Sequence, residues 1–164
     1  PLPPESTLAA AAAGASVTHV DASKGMVTWA KENAVSSGLG DAPIRWLVDD
    51  CVKFVEREIR RGNTYDAIIM DPPSYGRGPK GEIWKIEDMI HPLIKLCTKI
   101  LSKDALFFLV NSYTTGLAPA VLTYMISTEL KPWNGHVDSQ EIGLPVTDSG
   151  LVLPCGASGR WERD

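Results

Sequence analysis

Short β-branched or apolar runs alternate with helix-patterned stretches along almost the whole chain, and three of the runs stop at a carboxylate. That alternation constrains the fold more than any other feature. It implies an α/β architecture with a mostly parallel sheet and helices on both faces, because parallel neighbours need a crossover connection. Residues 16–20 form the first run and meet Asp21; residues 44–48 form the second and meet Asp49-Asp50. Residues 65–70 form the third, unbroken and apolar after Asp66, as a parallel strand buried on both faces should be. It stops at Asp71-Pro72-Pro73. Residues 105–110 read as a further buried strand, and the Pro- and Gly-rich tail from 131 to 163 as two late strands.

The stretches between carry helix signals. Residues 8–15 are alanine-rich and end at Gly14, a good helix stop. Ser23 can cap a helix over 24–37, with Met26, Val27, Ala30 and Ala34 on one face. Residues 51–61 turn Val52, Phe54, Val55 and Ile59 inward. Residues 86–101 carry a long apolar stripe that includes Cys97, with Pro92 placed to kink it. Residues 118–130 complete the set. Residues 74–83, rich in Gly and Pro, read as a mobile loop.

A chain of 164 residues suits a single domain spanning 1–164, large enough for a real core. The net charge of −4 excludes a strongly basic nucleic-acid coat protein but leaves room for a local basic patch. The three cysteines, Cys51, Cys97 and Cys155, are odd in number and widely spaced. They argue against a disulfide framework or a zinc ribbon and fit a reducing, cytoplasmic setting. His19, His91 and His136 share no metal-ligand spacing, so no metal is expected. No apolar run reaches the roughly 18 residues of a membrane span. The N-terminal residues lack a basic n-region, so nothing points to secretion.

In sheets of this kind, ligands bind at the carboxyl ends of the strands. Asp21 is therefore placed to accept two hydrogen bonds from a ribose diol, and Asp49 or Asp50 to accept from an exocyclic adenine amine. The alternative is that each simply caps the helix that follows. Asp71-Pro72-Pro73-Ser74-Tyr75 is the sharpest local feature. Two prolines fix the backbone and remove two donors. Asp71 and the loop carbonyls can then accept from a nitrogen on a planar substrate while Tyr75 stacks on it. Arg77, Lys80 and Lys85 make the next segment basic, and Trp84 offers another stacking surface, a mixture suited to a phosphate- and base-bearing substrate.

These runs resemble a family. Residues 9–24, through Val17-Thr18-His19-Val20-Asp21, look like the second strand of class I S-adenosylmethionine-dependent methyltransferases. Asp71-Pro72-Pro73-Ser74-Tyr75-Gly76-Arg77-Gly78 with Gly81-Glu82 looks like their fourth motif, in the form carried by bacterial ribosomal-RNA large-subunit methyltransferases. Residues 151–161 are similar to that subfamily's C-terminal strand. The resemblance covers residues 8–161 and implies a Rossmann-like three-layer sandwich, S-adenosyl-L-methionine as cofactor and an RNA substrate, in rRNA processing. It implies that Asp21 binds the cofactor ribose, and that Asp50, with Asp49 as its substitute, binds the adenine amine with Cys51 at the adenine edge. Asp71, counted with the cofactor-binding residues too, and Pro72 would face the methyl-transfer zone, with Tyr75 near the target base.

Two departures carry expectations of their own. The family's first strand and glycine-rich loop belong just before Thr7, where this chain has Pro1-Leu2-Pro3-Pro4-Glu5-Ser6, so residues 1–7 are atypical and the sheet reads as N-terminally incomplete. The strands ending at Asp21 and Asp71 would then each keep an open edge, which predicts low stability or self-association. Relatives that methylate cytosine carbon use a cysteine after the fifth strand; here that place holds Asn111-Ser112-Tyr113. Two other readings stand beside the enzyme: a methyltransferase-fold remnant acting as a binding or scaffold protein, and a nicotinamide-dependent oxidoreductase, which would share the Asp after the strand but lacks its GxGxxG here.

Overall fold

The structure, a computed structural model, describes residues 4–78, 81–114 and 116–164. It divides into two compact units, Pro1–Arg61 and Gly62–Asp164.

In the first unit, α1 (Pro4–Ala12) begins earlier than the alanine run suggests. Pro4 sits in the first turn, where its missing N–H has no helical partner to lose. The atypical segment is thus helix from Pro4 onward, and its Pro1-Leu2-Pro3 part lies outside the described residues. Gly14, at φ 91°, ends the helix in a conformation that favours glycine. Next come β1 (Val17–Asp21), α2 (Lys24–Ser36), β2 (Ile44–Val48) and α3 (Cys51–Arg61). β1 and β2 pair in parallel, from Val17↔Ile44 to Asp21↔Val48, so both carboxylate ends share one edge. Ser23 caps α2 by accepting from Met26 N at 3.3 Å, and Val27, Ala30 and Ala34 are buried.

Three polar residues, Thr7, His19 and Glu58, lie in this core. Glu58, on α3, is fully buried and pairs with Arg61 at 3.1 Å. His19, mid-strand in β1, shares a 2.8 Å hydrogen bond between its Nδ1 and Thr7 Oγ1, and its ring tilts against Trp46. Burial lowers the His19 pKa, the Asp21 carboxylate opposing that effect in part.

The second unit holds β3 (Ala67–Met70), the short pair β4 (Tyr75–Arg77) and β5 (Ile83–Lys85), α4 (Ile86–Thr98), β6 (Phe107–Ser112), α5 (Pro119–Glu129), β7 (His136–Pro145) and β8 (Val152–Glu162). Its main sheet has the order β3-β6-β8-β7. β3 and β6 are parallel, and the two late strands add antiparallel neighbours. Ile94, Phe108, Val110, Leu122, Ile126, Leu130 and Trp161 are almost wholly buried and form the core. α4 stops at Thr98, short of 101, because the N–H groups of Lys99 and Ile100 turn to Leu96 and Cys97 three residues back. That tightened turn brings Ile100 and Leu101 into the core, and Leu101 bridges to Tyr65.

Two expectations are corrected. Of β3, Met70 alone is buried and the rest is half-buried. The reason is its place at the sheet's edge: among the described residues β6 is its one strand partner. β1 likewise has β2 as its one strand partner among the described residues. Secondly, the loop over 74–83 contains an antiparallel ribbon, β4 with β5, in register Tyr75↔Lys85, Gly76↔Trp84 and Arg77↔Ile83. Gly81, at φ 85°, helps its turn, and Gly78 N bonds to Glu82 O at 2.9 Å. Lys80, counted among that loop's cations, lies outside the described residues.

Candidate functional site

The edge shared by β1 and β2 collects Asp21, Asp49, Asp50 and Cys51. Parallel pairing brings the first pair of strand ends together, and Asp49 N bonds to Asp21 O at 3.0 Å. Asp21 Oδ1 accepts from Ser23 N at 2.6 Å, which fixes the carboxylate at the turn into α2. Asp50 Oδ1 accepts from Lys53 N at 3.0 Å and so caps α3. The capping role weighed from sequence is therefore real. It uses one oxygen of each: among the described residues, Oδ2 of Asp21 and Oδ2 of Asp50 have no hydrogen bond. Asp49 differs. Its Oδ1 accepts from Asp50 N at 2.9 Å and its Oδ2 is ion-paired with Arg57. Cys51 is exposed at the start of α3, its Sγ 3.9 Å from Val20 O.

In the second unit, Asp71 and Pro72 are half-buried at the end of β3. The loop beyond them is pinned at three points. Trp84 Nε1 donates to Pro73 O at 2.6 Å, Ser74 Oγ bonds to Thr114 Oγ1 at 2.6 Å, and Ile86 N donates to Ser74 O at 3.1 Å. Tyr75 is 52% exposed, and Arg77 Nε donates to its Oη at 3.0 Å. Trp84 is half-buried, an anchor for the ribbon more than the open stacking surface the sequence suggested.

The end of β6 carries no thiol. Ser112 is fully buried and its Oγ accepts from Thr114 N at 3.2 Å; Asn111 Oδ1 accepts from Ser158 Oγ at 2.8 Å. Cys97 is buried on α4, as its place on the apolar stripe implied. Among the described residues no group of His, Cys, Asp and Glu could hold a metal ion, and no helix is long and apolar enough to cross a membrane.

Sequence reasoning missed the Arg57 pairing, the Ser74–Thr114 tie and the anchoring role of Trp84. The last had a signal: three-residue segments flank a Gly-bearing turn, with Gly76 opposite Trp84, a glycine covered by a cross-strand aromatic.

No family model matches the chain. It is 42% identical to a SAM-dependent methyltransferase from Agrobacterium tumefaciens, with a TM-score of 0.88, over 96% of this chain and 52% of that one. A SAM-dependent methyltransferase structure from Streptococcus mutans, 21% identical with a TM-score of 0.74 over 94% of this chain and 41% of that one, shares the fold. Among curated proteins, the ribosomal RNA large subunit methyltransferase K/L of Shewanella frigidimarina is 31% identical over 86 residues, 49% of this chain and 12% of that protein. The corresponding methyltransferase K of Neisseria meningitidis is 29% identical over 105 residues, 63% of this chain and 30% of that protein. The chain thus matches about half of the Agrobacterium protein and less than a third of these curated relatives. It has the Rossmann-like fold of class I S-adenosylmethionine-dependent methyltransferases and resembles in sequence the ribosomal-RNA large-subunit subfamily.

Proposed function

We propose that the chain is the methyltransferase-fold part of an S-adenosylmethionine-dependent enzyme that methylates a base in RNA, ribosomal RNA by its resemblance. The reading takes residues 1–164 as one domain working in the cytoplasm. The observation that carries it is the pair of carboxylates on the β1–β2 edge, Asp21 and Asp50, each fixed through Oδ1 and each keeping Oδ2 without a hydrogen bond among the described residues.

That pair of acceptors fits the cofactor. A diol needs an acceptor of fixed direction, which Asp21 offers; an amine needs a second, which Asp50 offers one strand further out. Asp49, with both oxygens engaged inside the protein, is left a supporting role. Cys51, exposed beside them, would line the adenine edge. The cofactor supplies an electrophilic methyl group on a sulfonium. The chain's own task is then to bind and orient, since in-line displacement requires alignment more than acid or base. Asp71 and Pro72 would face the transfer zone and accept from the target nitrogen, while Tyr75 would stack on the base. Self-association through strand edges is part of the same reading.

Calorimetric titration with S-adenosylhomocysteine tests the reading. Micromolar binding supports it. Absence of heat in a folded chain overturns it in favour of the non-catalytic remnant, and binding of NAD in its place would indicate an oxidoreductase.

A further inference from the structure

β7 and β8 run together past the rest of their sheet. β6 pairs with β8 from Phe107↔Glu162 to Ser112↔Ala157, whereas β7 and β8 stay paired out to Pro145↔Val152. Residues 143–154 are therefore a two-stranded arm with no third strand beside it among the described residues. A hairpin of two strands is marginal in water by itself. The register shift between Ile142 and Gly143 marks the arm's root. Its tip is closed by Val146 N donating to Leu151 O at 2.8 Å and Gly150 N donating to Val146 O at 2.9 Å.

Leu144 stands opposite Leu153, and strand alternation puts Val146 and Leu151 on the same face. All four are exposed, from 39% at Val146 to 69% at Leu151. On the opposite face Val152, also exposed, lies against Gly143, where a Cβ would have no room. Single exposed aliphatic residues are ordinary, but a contiguous set on one face marks an interaction surface. Pro145 in β7 and Pro154 in β8 each leave a strand without one N–H donor. They blunt the arm's edges against strand addition, so its face is the surface to be covered.

The charges around the arm bear on what covers it. Glu141 stands at the root and Asp148 in the tip turn; no Lys, Arg, His, Asp or Glu lies between them, nor from Ser149 to Gly159. A charged partner finds nothing to pair with on that stretch. Two copies of a chain of net charge −4 repel each other and meet at least cost where neither is charged. An uncharged aliphatic face is also its own complement, which a two-fold interface requires. Two such faces would stack as packed sheets do, about 10 Å apart. A standard interface takes about 20–30 residues and 800 Å² a side, so an arm of about half that size supports a concentration-dependent dimer.

We propose that the face formed by Leu144, Val146, Leu151 and Leu153 docks against the same face of a second copy of this chain across a two-fold axis. The proposal gives the self-association in the reading above a side-chain face in place of strand edges, and it stands without the methyltransferase activity.

Sedimentation equilibrium of the purified chain across the micromolar range is the test. The wild-type chain should dimerise reversibly, with a dissociation constant of micromolar order. Leu151→Glu and Leu153→Glu should each weaken the dimer about tenfold or more, because each puts a carboxylate against apolar neighbours and the two-fold places it in the interface twice. Leu153→Met keeps an apolar side chain of similar volume and should leave the constant within about threefold. Val35→Glu, on α2 and as exposed as Leu151, should leave it unchanged. A second readout needs no variant: amide exchange over residues 143–154 should slow as protein concentration rises, while exchange over residues 17–21 does not. A chain that stays monomeric throughout overturns the proposal and leaves the arm to an unlike partner. A dimer that survives both glutamate variants, or that protects residues 17–21 instead, overturns it in favour of strand-edge pairing. Equal weakening by Val35→Glu overturns it as well. Titrating the same samples with S-adenosylhomocysteine reports on the methyltransferase reading separately, since none of the substituted residues lies on the β1–β2 edge.

Discussion

Trp84 and Pro73 are joined by an indole-to-carbonyl hydrogen bond of 2.6 Å, eleven residues apart in the chain. The indole sits across the ribbon from Gly76, so it covers a backbone stretch that has no side chain of its own. A glycine-bearing ribbon of two three-residue strands would be marginal alone. Here it is tied at its root to the second of two prolines, whose φ is already fixed.

Trp84→Phe keeps an aromatic ring and removes the donor. Pro73 is exposed, so water can take the vacated carbonyl, and the loss should sit near the usual worth of one hydrogen bond, about 0.5–1.5 kcal/mol. The loss should be local. Amide exchange at Gly78, which bonds to Glu82 O, should quicken about 2- to 13-fold, while Ile94 and Cys97 in α4 exchange as before. Equal acceleration in α4 would show that the indole supports the whole unit instead of the ribbon.

His19 makes stability depend on pH. Its folded pKa is lowered, first by burial, so the folded chain binds the proton less readily than the unfolded chain does. The neutral-histidine contribution is fully present above the unfolded value of about 6.5 and is lost as pH falls through the lowered folded value. Urea midpoints should therefore drop between pH 7 and pH 5, and His19→Gln should flatten that drop at some cost in stability at pH 7. A wild-type profile that rises over this range would contradict the assignment.

Asp21 and Asp49 should behave differently although they stand side by side. If Asp21 holds a diol, Asp21→Ala removes charge-assisted bonds worth about 1.5–3 kcal/mol, roughly 10- to 150-fold in the dissociation constant for S-adenosylhomocysteine. Asp49→Ala loses an ion pair with a partly exposed Arg57 and should leave that constant within about twofold. Calorimetry on both variants decides; a larger loss from Asp49→Ala would reverse the two roles.

The strands and helices that reach the site were legible because their signals are local. Ser23 before an apolar periodicity, Asp21 and Asp49 after β-branched or apolar runs, and Pro72-Pro73 after residues 67–70 each act within a few residues. What was not legible depends on pairing across distance. Glycine count argued for a loop at 74–83, yet Gly76 opposite Trp84 makes a ribbon, a fact that lives in register. The apolar run of β3 promised burial on both faces, yet burial is set by neighbours, and β6 is its one strand partner among the described residues. Likewise the spacing of Asp49 and Asp50 could not separate them; the Arg57 side chain, eight residues from Asp49, does.

If the chain methylates RNA as proposed, the chemistry at the end of β6 bears on which atom receives the methyl group. Carbon-5 of a pyrimidine is a poor nucleophile until a thiolate adds to the ring. The strand end holds Asn111, Ser112 and Tyr113, with Ser112 fully buried and its Oγ accepting from Thr114 N. Cys97 is in the core of the second unit, and Cys155 lies on β8 with its Sγ 3.4 Å from Ile142 O. A ring nitrogen or an exocyclic amine needs no covalent activation, only an acceptor for its proton or hydrogen bond and a surface to lie on. Asp71 and Tyr75 supply these residue types in the second unit. RNA methylated by the intact enzyme should therefore carry its new methyl on nitrogen, and Tyr75→Ala should lower turnover about tenfold or more through lost stacking. Mass spectrometry of the digested nucleosides reads the position directly: 5-methylcytidine as the product would overturn the assignment and require a thiol nucleophile from elsewhere.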